Sequence, residues 1–202
     1  GFLAVRRAVA DMLSREHGTD LTEEHVLMSC GAAGGLNVVL KVLLDPGDEV
    51  VVFAPYFPEY FAYVDNHGGR MCVVETDERF QPAPERLAAA LTPATKAVLL
   101  NSPNNPTGAV YSQATVAALG RVLADAERRV GHPIFLLSDE PYRHIVYDDT
   151  PVPSPFAAHG NTIVVSSFSK DLGVPGERIG YIALSPQAAD LDILFTACAT
   201  AT

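Results

Sequence analysis

Short apolar runs alternate with segments of helical periodicity along the whole chain, and this alternation limits the fold more than any other feature. Runs such as Glu49–Phe53 and Thr162–Val165 are rich in β-branched residues and are typical of buried strands. Between such runs, apolar residues recur at helical spacing, as at Val116, Leu119 and Leu123. The pattern predicts an α/β fold with three layers, α/β/α, around a mostly parallel sheet that is covered on both faces.

Two local expectations concern the ends of the chain. A helix is predicted near the start, and Gly18 can end it. The face that this helix is expected to bury contains Phe2, Val5, Val9 and Met12. Near the other end, Ser185–Pro186 is expected to open a helix, with proline at its first position.

Five polar, aromatic or small-residue segments each follow a predicted strand. In parallel sheets of this kind, ligands bind beyond the carboxyl ends of the strands. We therefore expect the five segments to meet at one edge of the sheet and to form a ligand site there. They are centred on Gly31, Phe57, Asn105, Asp139 and Lys170.

Lys170 lies at the mouth of a buried strand, next to Ser167 and Ser169 and eight residues before Arg178. Partial burial would lower the pKa of its amine and leave a nucleophile that can form a Schiff base with an aldehyde. The serines and Arg178 provide donors and positive charge for a phosphate. Together these features suggest pyridoxal phosphate. The same residues are also consistent with a surface lysine that follows an edge strand.

The other segments are each open to a structural interpretation. Gly31–Gly35 can cradle a phosphate at a helix N-terminus or can simply make a tight turn. The aromatic residues of Pro55–Tyr60 can stack on a flat ring or can belong to the core. Asp139 can pair with a protonated ring nitrogen or can cap a helix. Asn101–Gly108 is expected to be a rigid loop that presents amide side chains.

Ser167–Lys170 also matches the S-x-x-K motif of serine acylases. That chemistry requires a helix, whereas the residues that follow Lys170 disfavour one. K-T-G is absent from the sequence, and Ser138–Glu140 differs from S-D-N. The acylase interpretation is therefore the weaker one.

Composition narrows the function classes. The 202 residues are enough for one domain with a sizeable core, and the formal charge of −10 argues against a general nucleic-acid binder. No apolar run reaches membrane-span length, and no signal peptide or metal-ligand pattern is present. Cys30, Cys72 and Cys198 are scattered, which suits buried thiols in a reducing cytoplasm.

Taken together, the segments resemble the pyridoxal-phosphate-dependent aminotransferases of fold type I, class I/II. The matching segments are GAAGGL, PYFPEY, NSPNNPTG, SDEPY and SFSKDLGVPGERIGY, in the family's order. The resemblance covers nearly all of residues 1–202 and implies the cofactor-binding large domain, with about seven strands. It implies one antiparallel strand, which we expect at Ile179–Leu184. It also implies a homodimer with active sites at the subunit interface.

The resemblance implies roles around the ring of pyridoxal 5′-phosphate. Lys170 forms the Schiff base and later acts as general base. Asp139 keeps the ring nitrogen protonated. Tyr142 and Asn105 bind the phenolic oxygen, and Asn105 is also a candidate for the substrate carboxylate. Phe57 stacks on the ring, with Tyr56 as the alternative.

The resemblance also implies a phosphate site. Ala32 and Ala33 offer backbone N–H groups, while Ser167 and Arg178 offer side chains. Ser169 is a weaker candidate.

Two parts of the family pattern have no counterpart in the sequence. These are the N-terminal segment with its substrate-facing glycine, and the small domain whose arginine binds the substrate α-carboxylate. Neither Arg143 nor Arg178 matches that arginine. We therefore expect a large domain truncated at both ends, which alone binds cofactor weakly and transfers amino groups negligibly.

The predicted activity is transfer of an amino group between an amino acid and a 2-oxo acid. A lyase, a decarboxylase or an aminocyclopropane-carboxylate synthase would share the same cofactor motifs. A non-catalytic aminotransferase-like module of a transcription regulator is the alternative from another class.

Overall fold

A computed structural model describes all 202 residues of the chain, which form seven strands and six α-helices. Two short 3₁₀ turns, at Glu23–His25 and Pro175–Glu177, complete the regular structure. The strands are β1 (Val26–Cys30), β2 (Glu49–Ala54), β3 (Arg70–Glu75), β4 (Thr95–Asn101), β5 (Phe135–Asp139), β6 (Thr162–Ser167) and β7 (Ile179–Leu184). The helices are α1 (Leu3–His17), α2 (Gly31–Leu43), α3 (Glu59–Asp65), α4 (Pro84–Ala90), α5 (Gln113–Val130) and α6 (Leu191–Ala201).

All seven strands form one sheet in the order β1-β7-β6-β5-β4-β2-β3. β7 runs antiparallel to both of its neighbours, and the other adjacent pairs are parallel. The predicted mostly parallel sheet of about seven strands is confirmed, as is the antiparallel strand at Ile179–Leu184. Because β7 runs backwards, its first residue lies at the edge where the parallel strands end.

Helices cover both faces of the sheet, which confirms the three-layer prediction. α2, α3 and α6 share a core with one face, and α4 and α5 share a second core with the other. α1 packs with Val164 and Ala183, whose side chains alternate with those in the first core, so α1 lies on the same side as α4 and α5. Gly35 of α2 lies so close to the sheet that an added Cβ would be 2.7 Å from Val165 Cγ1. This contact seats the start of α2 directly on β6.

The predicted first helix exists and ends at Gly18, which has the left-handed φ of 63°. Its buried face was predicted one turn too early. Phe2 is 85% exposed and Val5 is 43% exposed. The sheet side of the helix begins only at Val9, and the residues of α1 that are buried are Val9, Ala10, Leu13 and His17.

The helix expected at Ser185–Pro186 is absent, because a single turn forms there instead. Ser185 accepts hydrogen bonds from the N–H groups of Gln187 and Ala188. The next N–H, of Ala189, donates to Asn161 Oδ1 at 2.7 Å, so it cannot continue a helix. α6 begins later, at Leu191.

Other predictions have mixed outcomes. α5 begins at the predicted cap, Ser112, and buries Val116, Leu119 and Leu123 as expected. The expectation of three buried thiols is wrong, because Cys30 is exposed while Cys198 is buried. None of the helices is long and apolar enough to cross a membrane.

Candidate active site

The five segments predicted to meet at one sheet edge do meet there, around a cavity of about 290 Å³. This volume is just below the usual range for small-molecule sites, roughly 300–1,000 Å³. The cavity lies beyond the carboxyl ends of the parallel strands and the start of β7. Ten residues that the sequence singled out for the site line it: Ala32, Ala33, Phe57, Asn105, Asp139, Tyr142, Ser167, Ser169, Lys170 and Arg178.

One wall of the cavity is the N-terminus of α2. Strand β1 passes directly into this helix at Gly31, so the small residues expected in a turn form the first helical turn instead. The N–H groups of Ala32 and Ala33 lie in that first turn, where a helix offers no backbone acceptor. A Cβ added to Gly31 would lie 2.6 Å from Arg178 Nη2. Helix N–H groups and a guanidinium therefore converge on one place, which suits an anion.

Arg178 is held by the loop between β6 and β7. Phe168 N–H donates to the carbonyl oxygen of Ile179 at 3.1 Å and closes this loop. Arg178 has a left-handed φ of 53°, and its Nη1 donates to the carbonyl oxygen of Pro175 at 3.0 Å. Ser169 Oγ is a weaker partner, 3.4 Å from the same nitrogen. The loop thus turns the guanidinium back toward the cavity.

Lys170 is on the same loop, and its side chain is exposed. The prediction that the Lys170 amine is partly buried is therefore wrong in the structure of residues 1–202. Lys170 Nζ lies 5.8 Å from the ring centroid of Tyr142. Ser167 is the last residue of β6 rather than the start of a helix, which removes the geometry that the acylase interpretation needs.

Asp139 is the last residue of β5 and is 6% exposed. Tyr60 donates its hydroxyl proton to Asp139 Oδ2 at 2.6 Å, whereas Oδ1 is buried and has no partner. Burial raises the pKa of Asp139 to about 7. The hydrogen bond from Tyr60 lowers this pKa, and the charge of Glu140 raises it. A turn rather than a helix follows, so the helix-cap interpretation is wrong. A buried carboxylate with a free oxygen favours a cationic N–H donor in the cavity.

Tyr60 is a site residue that the sequence reasoning missed. It stands edge-on to Phe57, with ring centroids 5.6 Å apart, and joins that ring to Asp139. Its position three residues after Phe57 was the available signal, because one turn separates two side chains on the same face. Both Phe57 and Tyr56 pack against the first core, but Phe57 alone of the two lines the cavity. Tyr60 lies behind the cavity wall, and the lining residues that were missed are Leu36, Glu59, Tyr63, Asn101, Pro141 and Pro175.

The asparagine loop presents fewer amides than expected. Asn101 Nδ2 donates to the carbonyl oxygen of Asp139 at 2.9 Å, and its Oδ1 accepts from Asn105 N–H at 2.7 Å. Asn104 bonds to Pro55 and Thr107. Two of the three side chains therefore hold the loop together, and the amide of Asn105 is the one left for a ligand.

Known proteins match nearly the whole chain. The family model for aminotransferase class I and II matches residues 1–195. A probable aspartate/prephenate aminotransferase of Thermus aquaticus is 40% identical over 190 residues, which are 93% of this chain and 48% of that protein. The aspartate/prephenate aminotransferase of Thermus thermophilus is 39% identical over 183 residues, or 90% of this chain and 46% of that protein.

Solved structures give the same picture. An aminotransferase crystal structure from Eubacterium rectale superposes with a TM-score of 0.97 at 40% identity, covering 100% of this chain and 51% of that one. The aspartate aminotransferase of Thermus thermophilus with maleate gives a TM-score of 0.89 at 35% identity, covering 100% and 50%. The chain thus spans about half the length of the relatives it matches.

Proposed function

Because this chain belongs to the class I and II aminotransferase family, we propose that its cavity holds pyridoxal 5′-phosphate and that the protein transfers an amino group between an amino acid and a 2-oxo acid. Class I and II aminotransferases depend on this cofactor. The observation that carries the proposal is the buried, unpartnered Oδ1 of Asp139 in the same cavity as Lys170.

The residues around the cavity fit the chemistry of this cofactor at both of its ends. Asp139 offers a carboxylate oxygen to a ring N–H, and the start of α2 together with Arg178 offers donors to a phosphate. The cavity therefore has a hydrogen-bond acceptor for a cationic N–H at one side and hydrogen-bond donors for an anion at the other. In the proposed assignment, residues 1–202 are the cofactor-binding large domain.

When bound, the cofactor supplies an aldehyde that condenses with amines and a ring that accepts electrons from the substrate. Asp139 would hold a proton on the ring nitrogen, because a buried carboxylate stabilises a neighbouring cation. Asn105 and Tyr142 would donate hydrogen bonds to the phenolic oxygen. Phe57 would cover one face of the ring.

At the other end, the N–H groups of Ala32 and Ala33 would bind phosphate oxygens with Ser167 and Arg178. Ser169 would contribute through its contact with Arg178. Lys170 would supply the amine that carries the cofactor. Once free again, its Nζ would move a proton at the substrate α-carbon.

The two Thermus relatives are named aspartate/prephenate aminotransferases, one of them as a probable one. We therefore propose a dicarboxylic amino acid, with aspartate tested first, as the amino donor.

We also propose a homodimer in the cytoplasm. The dimer is supported by the exposure of large apolar side chains on α1 and α6, such as Leu3 and Ile193, and the compartment by the three unpaired cysteines.

The test is reductive trapping on the full-length protein. The purified protein is titrated with pyridoxal 5′-phosphate while its absorbance is followed, and the product is then reduced with borohydride and digested. We expect the label on the peptide that contains Lys170. Label recovered on Lys41 or Lys96 instead, or none at all, would disprove the proposal.

A further inference from the structure

Immediately behind the cavity lies a second buried charge that the proposed chemistry does not use. Glu140 follows Asp139 in the chain and is 3% exposed, and it does not line the cavity. Its Oε2 accepts from Arg143 Nη1 at 3.0 Å, and its Oε1 accepts from Ser138 Oγ at 2.7 Å. The side chain of Arg143 is only 9% exposed. This buried ion pair spans the turn that contains Tyr142.

Both members of the pair also hold the main chain of their neighbours. Arg143 donates to the carbonyl oxygens of Val152 at 3.0 Å and Pro153 at 3.2 Å, so it fixes the segment that returns after the turn. Glu140 N–H donates to the carbonyl oxygen of Val165 at 2.9 Å, and Glu140 O accepts from Ser166 Oγ at 2.9 Å. The backbone of Glu140 thus connects the end of β5 to β6 just before Ser167, and the Glu140 carboxylate binds Arg143 from the same residue.

Of the other ionisable groups near Glu140, Glu16 and Asp139 are acidic and Tyr181 is neutral, and the one that can carry a positive charge is His17 of α1. Its Nε2 lies 3.7 Å from Glu140 Oε2, beyond hydrogen-bonding distance, and has no partner. Burial lowers the pKa of His17 to about 3, helped by the charges of Arg143 and His144, so this ring is neutral near pH 7. Arg143 is therefore the cation that neutralises Glu140.

A buried ion pair of this kind is an expensive way to stabilise a fold. Desolvation of the two charges offsets most of their attraction, and neutral groups of similar volume often serve stability as well. Its location gives it another use, because Asp139 precedes the pair and Tyr142 lies inside it. We propose that Glu140 and Arg143 are positioning residues, which fix the Asp139 carboxylate and the Tyr142 turn in the cofactor cavity. This inference rests on the function proposed above.

The experiment separates positioning from stability by neutralising both charges in the full-length protein. The double variant Glu140→Gln/Arg143→Met removes the ion pair and the ties to Val152 and Pro153 without leaving a buried charge unpaired. The matched control is Asp125→Asn/Arg128→Met, which removes an exposed pair with the same three-residue spacing on α5. Both proteins are compared with the parent by thermal unfolding and by absorbance titration with pyridoxal 5′-phosphate.

We expect the double variant to unfold near the temperature of the parent but to bind the cofactor roughly tenfold more weakly, because small displacements of positioned groups cost large factors. Its absorbance spectrum in the bound form should also shift. The control should match the parent in all three measurements. Affinity and spectrum equal to those of the parent would reduce the pair to a structural element and overturn the inference.

Two further measurements keep the inference testable. If the double variant does not fold, Arg143→Lys keeps the charge opposite Glu140 but loses the planar fork that reaches both carbonyls, and it should still weaken binding. Hydrogen exchange on the cofactor-free protein should show faster exchange in residues 140–144 of either variant, and unchanged exchange would contradict the inference. A parent protein that binds no pyridoxal 5′-phosphate would instead refute the proposed function.

Discussion

The two ends of the cavity are built very differently. At the Asp139 end, the carboxylate is buried and the residue receives hydrogen bonds from Tyr60 and Asn101. At the other end, Lys170 and Arg178 are exposed residues on a loop between two strands. The contrast shows which part of the site these residues organise by themselves. The end that would hold the ring nitrogen is buried and hydrogen-bonded across the sheet before any ligand arrives. At the other end the amine is exposed, and the guanidinium is held only by contacts within its own loop, to Pro175 and Ser169.

The largest effect is expected from Lys170→Ala in the full-length protein. Without its amine, no borohydride-stable attachment of pyridoxal 5′-phosphate should form, and amino transfer should fall below detection. Lys41→Ala, at an exposed position of α2, is the control and should behave as the parent does. If the cofactor still attached to Lys170→Ala, the reactive amine would belong to another lysine, and the open end of the cavity would not be the site of attachment.

Asp139→Asn should have the next largest effect, and of a different kind. A neutral amide cannot keep a ring nitrogen protonated, so turnover with aspartate should drop by about 100-fold or more, roughly 3 kcal/mol in the barrier. The absorbance titration should still show bound cofactor, because Lys170 and Arg178 are unchanged. Asp20→Asn, at an exposed position, is the control. A near-normal rate in Asp139→Asn would mean that the buried end has only a structural role.

Arg178→Met tests the open end. A charged hydrogen bond contributes about 1.5–3 kcal/mol, so the dissociation constant for pyridoxal 5′-phosphate should rise roughly tenfold or more. The melting temperature of the cofactor-free protein should stay nearly constant, because an exposed side chain contributes little to folding. Arg121→Met on α5 serves as the matched control. Unchanged affinity would show that the α2 N–H groups and Ser167 hold the phosphate without Arg178.

The last effect concerns the pH dependence of stability rather than activity or affinity. The pKa of Asp139 is raised by burial from 3.8 to about 7, so the folded state binds this proton more tightly than the unfolded state does. Between about pH 4 and 7, Asp139 therefore makes the free energy of unfolding of the cofactor-free protein fall as pH rises, by up to about 1.4 kcal/mol per pH unit. Urea unfolding across this range should show that contribution in the parent and not in Asp139→Asn.

Tyr60→Phe sharpens the same measurement. Tyr60 lowers the pKa of Asp139 by its hydrogen bond, so removing the hydroxyl should extend the falling region of the stability curve to higher pH. The control is Tyr111→Phe, because Tyr111 is also buried but its hydroxyl makes no hydrogen bond to Asp139. If the two variants have the same profile, the hydrogen bond does not tune the carboxylate.

Much of this arrangement was predictable from the sequence, because it depends on local patterns. Strands joined by helices run parallel, so their carboxyl ends lie at one edge, and the polar and aromatic segments that follow them were expected to meet there. The burial of Asp139 followed from its position at the end of an apolar run. The cap at Ser112 followed from side-chain chemistry alone.

The failures concern contacts between segments far apart in the chain. Phe2 and Val5 have the correct periodicity for burial, but the residues that cover α1 begin only beside Val9. The helix expected at Ser185 is stopped by Asn161, which lies 28 residues from Ala189. Tyr60 was missed for the same reason, because its partner Asp139 is 79 residues away.

The loop between β6 and β7 has a kinetic consequence. It carries both Lys170 and Arg178, and the hydrogen bond between Phe168 and Ile179 holds its two ends together. A ligand bound at one of the two side chains is therefore kept at high effective concentration near the other. Escape requires both attachments to open at once, so retention of the ligand should exceed what either attachment provides alone. Lengthening this loop would then speed release without removing any contact.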